Sequence, residues 1–255
     1  MKLGVVGKGG VGKTTVSALL ARELTARGRR VLAVDTDSNP NLGLSLGLDA
    51  TQVDALPTVP RSIVVGNRGD LTVEEIMADY AVSTPAGVSV MSALRVTEAG
   101  AGCTCGGHAT VRSLLGEALD VAVEDTIIDM EAGIEHLSRS GGTLANADVL
   151  VLVMEPSRKA VITAQRTIAL ARELGIARWI GVGNKVDESQ RSLLVDLCAD
   201  HDVPLDVALP ADVELVAADR LALPLDRGVA AGIWAGVERL ADLVLDREAV
   251  SADPS

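Results

Sequence analysis

Gly7-Lys8-Gly9-Gly10-Val11-Gly12-Lys13-Thr14 packs four glycines, two lysines and a hydroxyl into eight consecutive residues. The spacing G-x-x-x-x-G-K-[ST] is that of a loop built to wrap phosphate. Glycines let successive backbone N–H groups turn toward phosphate oxygens, and the start of a following helix adds the positive end of its dipole. In this arrangement Lys13 bridges the terminal phosphates and the Thr14 hydroxyl ligates Mg²⁺, with Gly9, Gly10, Val11, Gly12 and Thr15 completing the nucleotide cradle. Gly7, Gly9 and Gly12 also satisfy the dinucleotide spacing G-x-G-x-x-G, with Asp35 standing where a ribose-binding acid would be. Lys13-Thr14 decides between the two, because a dinucleotide site has no use for that pair.

Other chemistry-bearing groups fall into place around that loop. Asp129 closes the apolar run Asp125–Met130 and fits a carboxylate that holds Mg²⁺ through water; Gly133, four residues on, fits an amide facing a γ-phosphate. Asp35 and Asp37 follow another apolar run, where the plain alternative is a pair of turn carboxylates. Asn184-Lys185-Val186-Asp187 matches the guanine-reading pattern N-K-x-D, so the residues alone leave ATP and GTP both open. Cys103-Thr104-Cys105 lies among glycines. Residues two apart on an extended chain point the same way, so both sulfurs can face one target. One pair cannot complete a tetrahedral site, but two copies related by a two-fold axis would supply four thiolates. Such a set suits Zn²⁺, Ni²⁺, Cu(I) or an iron–sulfur cluster. His108 is either a further ligand or a helix-start histidine, and Cys198 sits on an apolar helix pattern as a core residue.

These groups need a scaffold that presents them together. Strands are predicted at Lys2–Gly7, Arg30–Asp35, Gly87–Ala93, Asp125–Met130, Ala147–Met154, Trp179–Gly183 and Val203–Leu209. Several are unbroken Val/Ile/Leu runs, as expected of strands covered on both faces. Helices are predicted at Lys13–Arg27, Ala109–Val123, Arg158–Leu174, Ser189–His201 and Val229–Asp246, and Thr72 with Glu75 forms a capping box for a short helix. This alternation implies an α/β fold of three layers, a mostly parallel central sheet with helices on both faces. One domain is expected over residues 1–248, with a frayed tail at 249–255 and an inserted loop or hairpin near residues 58–69.

Composition narrows the function further. The chain has 255 residues, 2 Trp, 1 Tyr and no Phe, so its core is aliphatic and base-stacking platforms for single-stranded nucleic acid are nearly excluded. Lys+Arg is 23 against Asp+Glu 35, a net charge of -12 that opposes binding to nucleic acid or anionic membrane. No apolar run reaches the length of a membrane span. With three cysteines, no secretory pattern and no disulfide framework in view, a cytoplasmic location is expected.

The nine residues Gly-Lys-Gly-Gly-Val-Gly-Lys-Thr-Thr, with the second lysine at Lys8, resemble the deviant Walker A motif of the MinD/ArsA/nitrogenase iron protein group of dimerising P-loop ATPases. The resemblance implies that Lys8 reaches the partner subunit's nucleotide, in the manner of an arginine finger. It implies that Asp37 positions the attacking water and that Asp35 lies nearer the Mg²⁺ shell, with Ser38 where proline is common. It also implies that Asn184 contacts adenine, with Pro210 and Asp212 in the second base-binding loop, which favours ATP. Cys103-Thr104-Cys105 with His108, Arg112 and Leu114-Leu115, then Asp129-Met130-Glu131-Ala132-Gly133-Ile134-Glu135-His136-Leu137, is similar to the CooC family of nickel-insertion ATPases for carbon monoxide dehydrogenase. That similarity runs from the phosphate loop to the Pro210 loop. It implies a homodimer holding Ni²⁺ or Zn²⁺ between paired C-x-C motifs, serving a metalloenzyme client. The alternative is a MinD/ParA-like positioning or regulatory ATPase that delivers no metal. Too few basic residues near Val237–Leu245 argue against membrane positioning, and Ile134–Leu144 lacks the cysteine that a nitrogenase-type cluster would require.

Overall fold

A computed structural model describes residues 1–37, 39–59, 72–93, 123–131, 147–229 and 231–246. Among these, eight strands form one sheet: β1 (Lys2–Val6), β2 (Val31–Asp35), β3 (Val82–Ser83), β4 (Ser89–Ser92), β5 (Asp125–Asp129), β6 (Val149–Met154), β7 (Trp179–Val186) and β8 (Val207–Pro210). The helices are α1 (Lys13–Ala26), α2 (Leu42–Ser45), α3 (Ala50–Asp54), α4 (Val73–Tyr80), α5 (Arg158–Glu173), α6 (Arg191–Asp200), α7 (Val213–Arg220) and α8 (Trp234–Leu245). Strand order is β3-β4-β2-β5-β1-β6-β7-β8, parallel throughout except for the β3–β4 pair at one edge.

Every residue of β2, β5 and β6 is buried, as are the last four of β1. Strands buried along their whole length must be covered on both faces, and their aliphatic runs are what permits it. Leu19, Leu20 and Leu24 of α1 pack with Val237, Leu240 and Val244 of α8 in the same core as the central strands. Polar contacts fasten the two helices as well. Glu23 is buried on α1 and binds Arg27 at 2.8 Å and Arg227; Arg27 in turn reaches Asp242 of α8 at 2.7 Å.

The parallel strands all deliver their carboxyl ends to one rim, where binding sites of open α/β sheets form. β5 separates β1 from β2, so the loops after these three strands meet there. The register sets Val5 beside Asp129 and Asp129 beside Asp35.

The predicted strands all occur with trimmed ends, except that β8 reaches one residue further, to Pro210, and β7 is longer still. It runs on to Val186 because Asn184 and Lys185 continue the strand. The last strand begins at Val207 rather than Val203, and α8 is preceded by a short 3₁₀ turn at Ala231–Ile233. The Thr72–Glu75 capping box is formed in both directions, at 3.2 and 2.7 Å. Cys198 is buried, and burial pushes its thiol up to about 11. Residues 109–122 of the predicted Ala109–Val123 helix, residues 60–69 of the expected inserted loop, Ser38, His108, Arg112, Leu114, Leu115, Ile134, Glu135, His136, Leu137 and the tail lie outside the described residues. Among the described residues no helix is long and apolar enough to cross a membrane.

Candidate nucleotide and cation site

β1 ends at Val6, and the chain turns through Gly7, Gly10 and Gly12 into α1. All three have positive φ, and a Cβ on Gly7 would sit 2.3 Å from the Val153 carbonyl oxygen. The loop therefore lies too close to β6, and too far into left-handed backbone, for other residues at these positions. Gly12 caps α1 without any side-chain hydrogen bond. The first-turn amides of α1 thus point into a pocket of about 690 Å³ lined by Gly9, Gly10, Gly12, Lys13, Thr14, Thr15 and Asp37. An anion held there would cap the helix.

Lys13 is buried at the pocket floor. Burial lowers its pKa, opposed by the fields of Asp129, Asp37 and Glu131. Asp129 is fully enclosed. Burial first, and then the neighbouring Asp35, push its carboxyl up to about 7, while hydrogen bonds from Thr14 and Ser17 and the Lys13 charge pull the other way. The Ser17 hydroxyl donates to Asp129 Oδ1 at 3.2 Å. Asp35 is raised to about 6, chiefly by burial. Its oxygens accept the backbone N–H groups of Asp37 at 3.0 Å, Asn41 at 3.0 Å and Leu42 at 2.9 Å. Asp35 thereby folds the loop that carries Asp37 back over the pocket. Thr36 joins this loop to the end of β5, donating from Oγ1 to the Asp129 carbonyl at 2.8 Å and accepting from the Glu131 N–H at 3.3 Å.

Two buried carboxyls in register, both raised above the ordinary carboxylate range and beside a hydroxyl, form an oxygen donor set that a hard divalent cation would satisfy. The residues present fit Mg²⁺: Thr14 and Asp129 are the oxygen donors that would hold it, with Asp35 behind them. Among the described residues no group of three or more His, Cys, Asp or Glu stands as a preformed metal cluster. Cys103, Cys105 and Gly133 lie outside the described residues.

Lys8 lies at the rim, 38 % exposed, with Nζ 3.6 Å from Glu155 at the end of β6. Asn184 is buried, and its Nδ2 donates to the Val11 carbonyl at 2.9 Å. Asp212 accepts the Glu214 and Leu215 N–H groups as the N-cap of α7, at 2.8 and 3.1 Å, and Pro210 is exposed at the end of β8. The remaining wall was not marked by the sequence motifs. It comprises Leu215, Val216 and Asp219 of α7, Leu223 and Leu225 just after it, and Leu44 and Ser45 across the pocket, beside Asn41 of the Asp35–Leu42 segment. The Leu225 N–H donates to the Ser45 carbonyl at 3.0 Å, linking the two walls. The Asp-x-x-Leu spacing at Asp212 was the available signal for α7.

Residues 5–225 match the family model of the CobQ/CobB/MinD/ParA nucleotide-binding domain. The chain is 36% identical over 239 residues to the carbon monoxide dehydrogenase accessory protein CooC of Rhodospirillum rubrum, covering 88% of each chain. An ATP-binding protein of Methanocaldococcus jannaschii is 31% identical over 243 residues, covering 89% of this chain and 91% of the other. In structure, the chain resembles a ParA family ATPase from Chlorobium tepidum with a TM-score of 0.75 at 18% identity, covering 94% of this chain and 98% of that one. The chain belongs to the CobQ/CobB/MinD/ParA nucleotide-binding family, grouping there with CooC-type proteins, and is a P-loop ATPase.

Proposed function

Starting from that membership, we propose that this ATPase works as a homodimer, in the cytoplasm, coupling its nucleotide state to capture and delivery of a metal ion to a carbon monoxide dehydrogenase-like client. The observation that carries this reading is the 36% identity, across 88% of both chains, with a carbon monoxide dehydrogenase accessory protein. Cys103 and Cys105 support it, because a two-fold axis would convert one pair into the four thiolates of a closed tetrahedral site. Nickel is the favoured cargo and zinc the competing one.

In the proposed cycle the phosphate loop and Lys13 hold the triphosphate. Thr14 and Asp129 would hold Mg²⁺, which would supply charge neutralisation at the phosphates. Asp37 orients the attacking water, and Gly133 presents its amide to the γ-phosphate. Lys8 leaves Glu155 and reaches the partner subunit's nucleotide, so ATP favours the dimer. Pro210 and Asp212 bound the base side, and Asn184 lies against the phosphate loop.

Metal quantitation on the purified chain, with and without ATP and alongside its mass in solution, tests the proposal. We expect about one metal per two chains, and loss of that metal in Cys103→Ser and Cys105→Ser while ATP binding persists. Unchanged metal content in the double serine variant would overturn metal delivery and leave a dimeric ATPase of another role.

A further inference from the structure

The end of β7 is built irregularly, and the irregularity serves the phosphate loop. The β7–β8 ladder shifts register between Gly183 and Val186, and Lys185 adopts φ 57°. Left-handed backbone at a lysine costs roughly 1 kcal/mol or more and persists only where its surroundings enforce it. Here it turns two consecutive side chains onto two consecutive carbonyls of the loop. Asn184 Nδ2 donates to Val11 O at 2.9 Å, and Lys185 Nζ donates to Gly10 O at 2.7 Å.

In a trans peptide the carbonyl and the following N–H point in opposite directions, and the described residues contain no cis bond. Holding the Gly10 and Val11 carbonyls toward β7 therefore aims the Val11 and Gly12 N–H groups away from it, toward the phosphate side. The Val11 N–H closes only a long turn bond to Lys8 O at 3.4 Å. Gly12 fits the same arrangement. Its φ is 92°, and a Cβ there would lie 2.4 Å from Asn184 Nδ2. The glycine thus admits the brace as well as the phosphate.

We propose that Asn184 and Lys185 are positioning residues that set the direction of the phosphate-loop amides, and so govern triphosphate binding whatever base is attached. The inference rests on nucleotide binding alone and is independent of metal delivery. Removing the brace leaves the buried Val11 carbonyl without its donor and lets both peptides rotate.

The test is competition against a fluorescent ATP analogue by ATP and by inorganic tripolyphosphate, each with Mg²⁺, on wild type, Asn184→Ala and Lys185→Met. For Asn184→Ala we expect about tenfold weaker binding of both competitors, by the same factor. For Lys185→Met, whose head group is at the surface and whose stem is conserved, we expect a loss of about threefold to tenfold, again equal for both. A loss confined to ATP would show that Asn184 reads the base and would overturn the proposal. So would unchanged tripolyphosphate binding in Lys185→Met, which also decides the matter should Asn184→Ala fail to fold. Failure of tripolyphosphate to compete on the wild-type chain would overturn it too, because a braced loop holds phosphates without help from a base.

Discussion

β5 begins and ends with an aspartate, Asp125 and Asp129, and both are buried. At the first end Asp125 receives a two-pronged Arg29, with Nη2 on Oδ1 at 2.9 Å and Nε on Oδ2, and the Met1 ammonium lies 3.7 Å away. At the other end Asp129 faces a second acid, Asp35, with hydroxyls and a lysine's field in partial compensation. Burial is common to the two ends; the company differs. The first end is electrically closed and can only hold the fold together. The second retains an appetite for positive charge, and it lies behind Lys13 and Thr14, which line the pocket that the phosphate loop surrounds.

Exchanging each aspartate for asparagine breaks the comparison most sharply. Asp129→Asn should reduce Mg²⁺-dependent ATP hydrolysis by a factor on the order of 10² or more, measured as phosphate release at saturating ATP. The same change should raise the melting temperature of the metal-free chain, since it removes one of two facing acids. Asp125→Asn should do the reverse. Stripping one partner from a buried ion pair costs about 3–5 kcal/mol, so melting should fall by roughly 10 °C while turnover per folded molecule stays unchanged. Equal stability losses in the two variants would erase the distinction.

The smallest effect is the pH response. Asp35 and Asp129 titrate near 6 and 7 in the fold against an ordinary 3.8. Between those limits the folded chain holds protons that the unfolded chain has released. Their contribution is therefore greatest below about pH 4 and is lost as pH rises through 6 to 7. Metal-free wild type should lose several degrees of melting temperature relative to Asp129→Asn between pH 5 and 7.5, and saturating Mg²⁺ should abolish that difference.

Much of this was legible beforehand, because strands buried on both faces write themselves as aliphatic runs and a phosphate loop is defined by glycine spacing. Asp35 and Asp129 were recognisable as strand-end acids. Their side-by-side register was not, since nothing local says that β5 inserts between β1 and β2. Asn184 and Lys185 were noticed as a motif, yet their grip on Gly10 and Val11 depends on a ladder irregularity and a positive φ that no residue pattern encodes. α7 escaped because its apolar residues do not form one stripe: Leu215 and Ala218 face the core, while Val213 is 85 % exposed and Val216 is exposed as well. α3 is only five residues long, and its signal was the reciprocal Asp49–Gln52 cap rather than any periodicity.

The central position of β5 also has a consequence for biosynthesis. The phosphate loop leaves the ribosome before the strands that hold it: among the described residues β1, on which it is mounted, pairs with β5 and β6. A nascent chain ending before Asp125 therefore carries a complete glycine loop with no sheet to hold it in shape. The lysine and asparagine that grip the loop emerge later still. ATP capture should begin abruptly, once residues up to about Lys185 are free to fold, and a series of stalled chains of increasing length on immobilised ATP would locate that threshold.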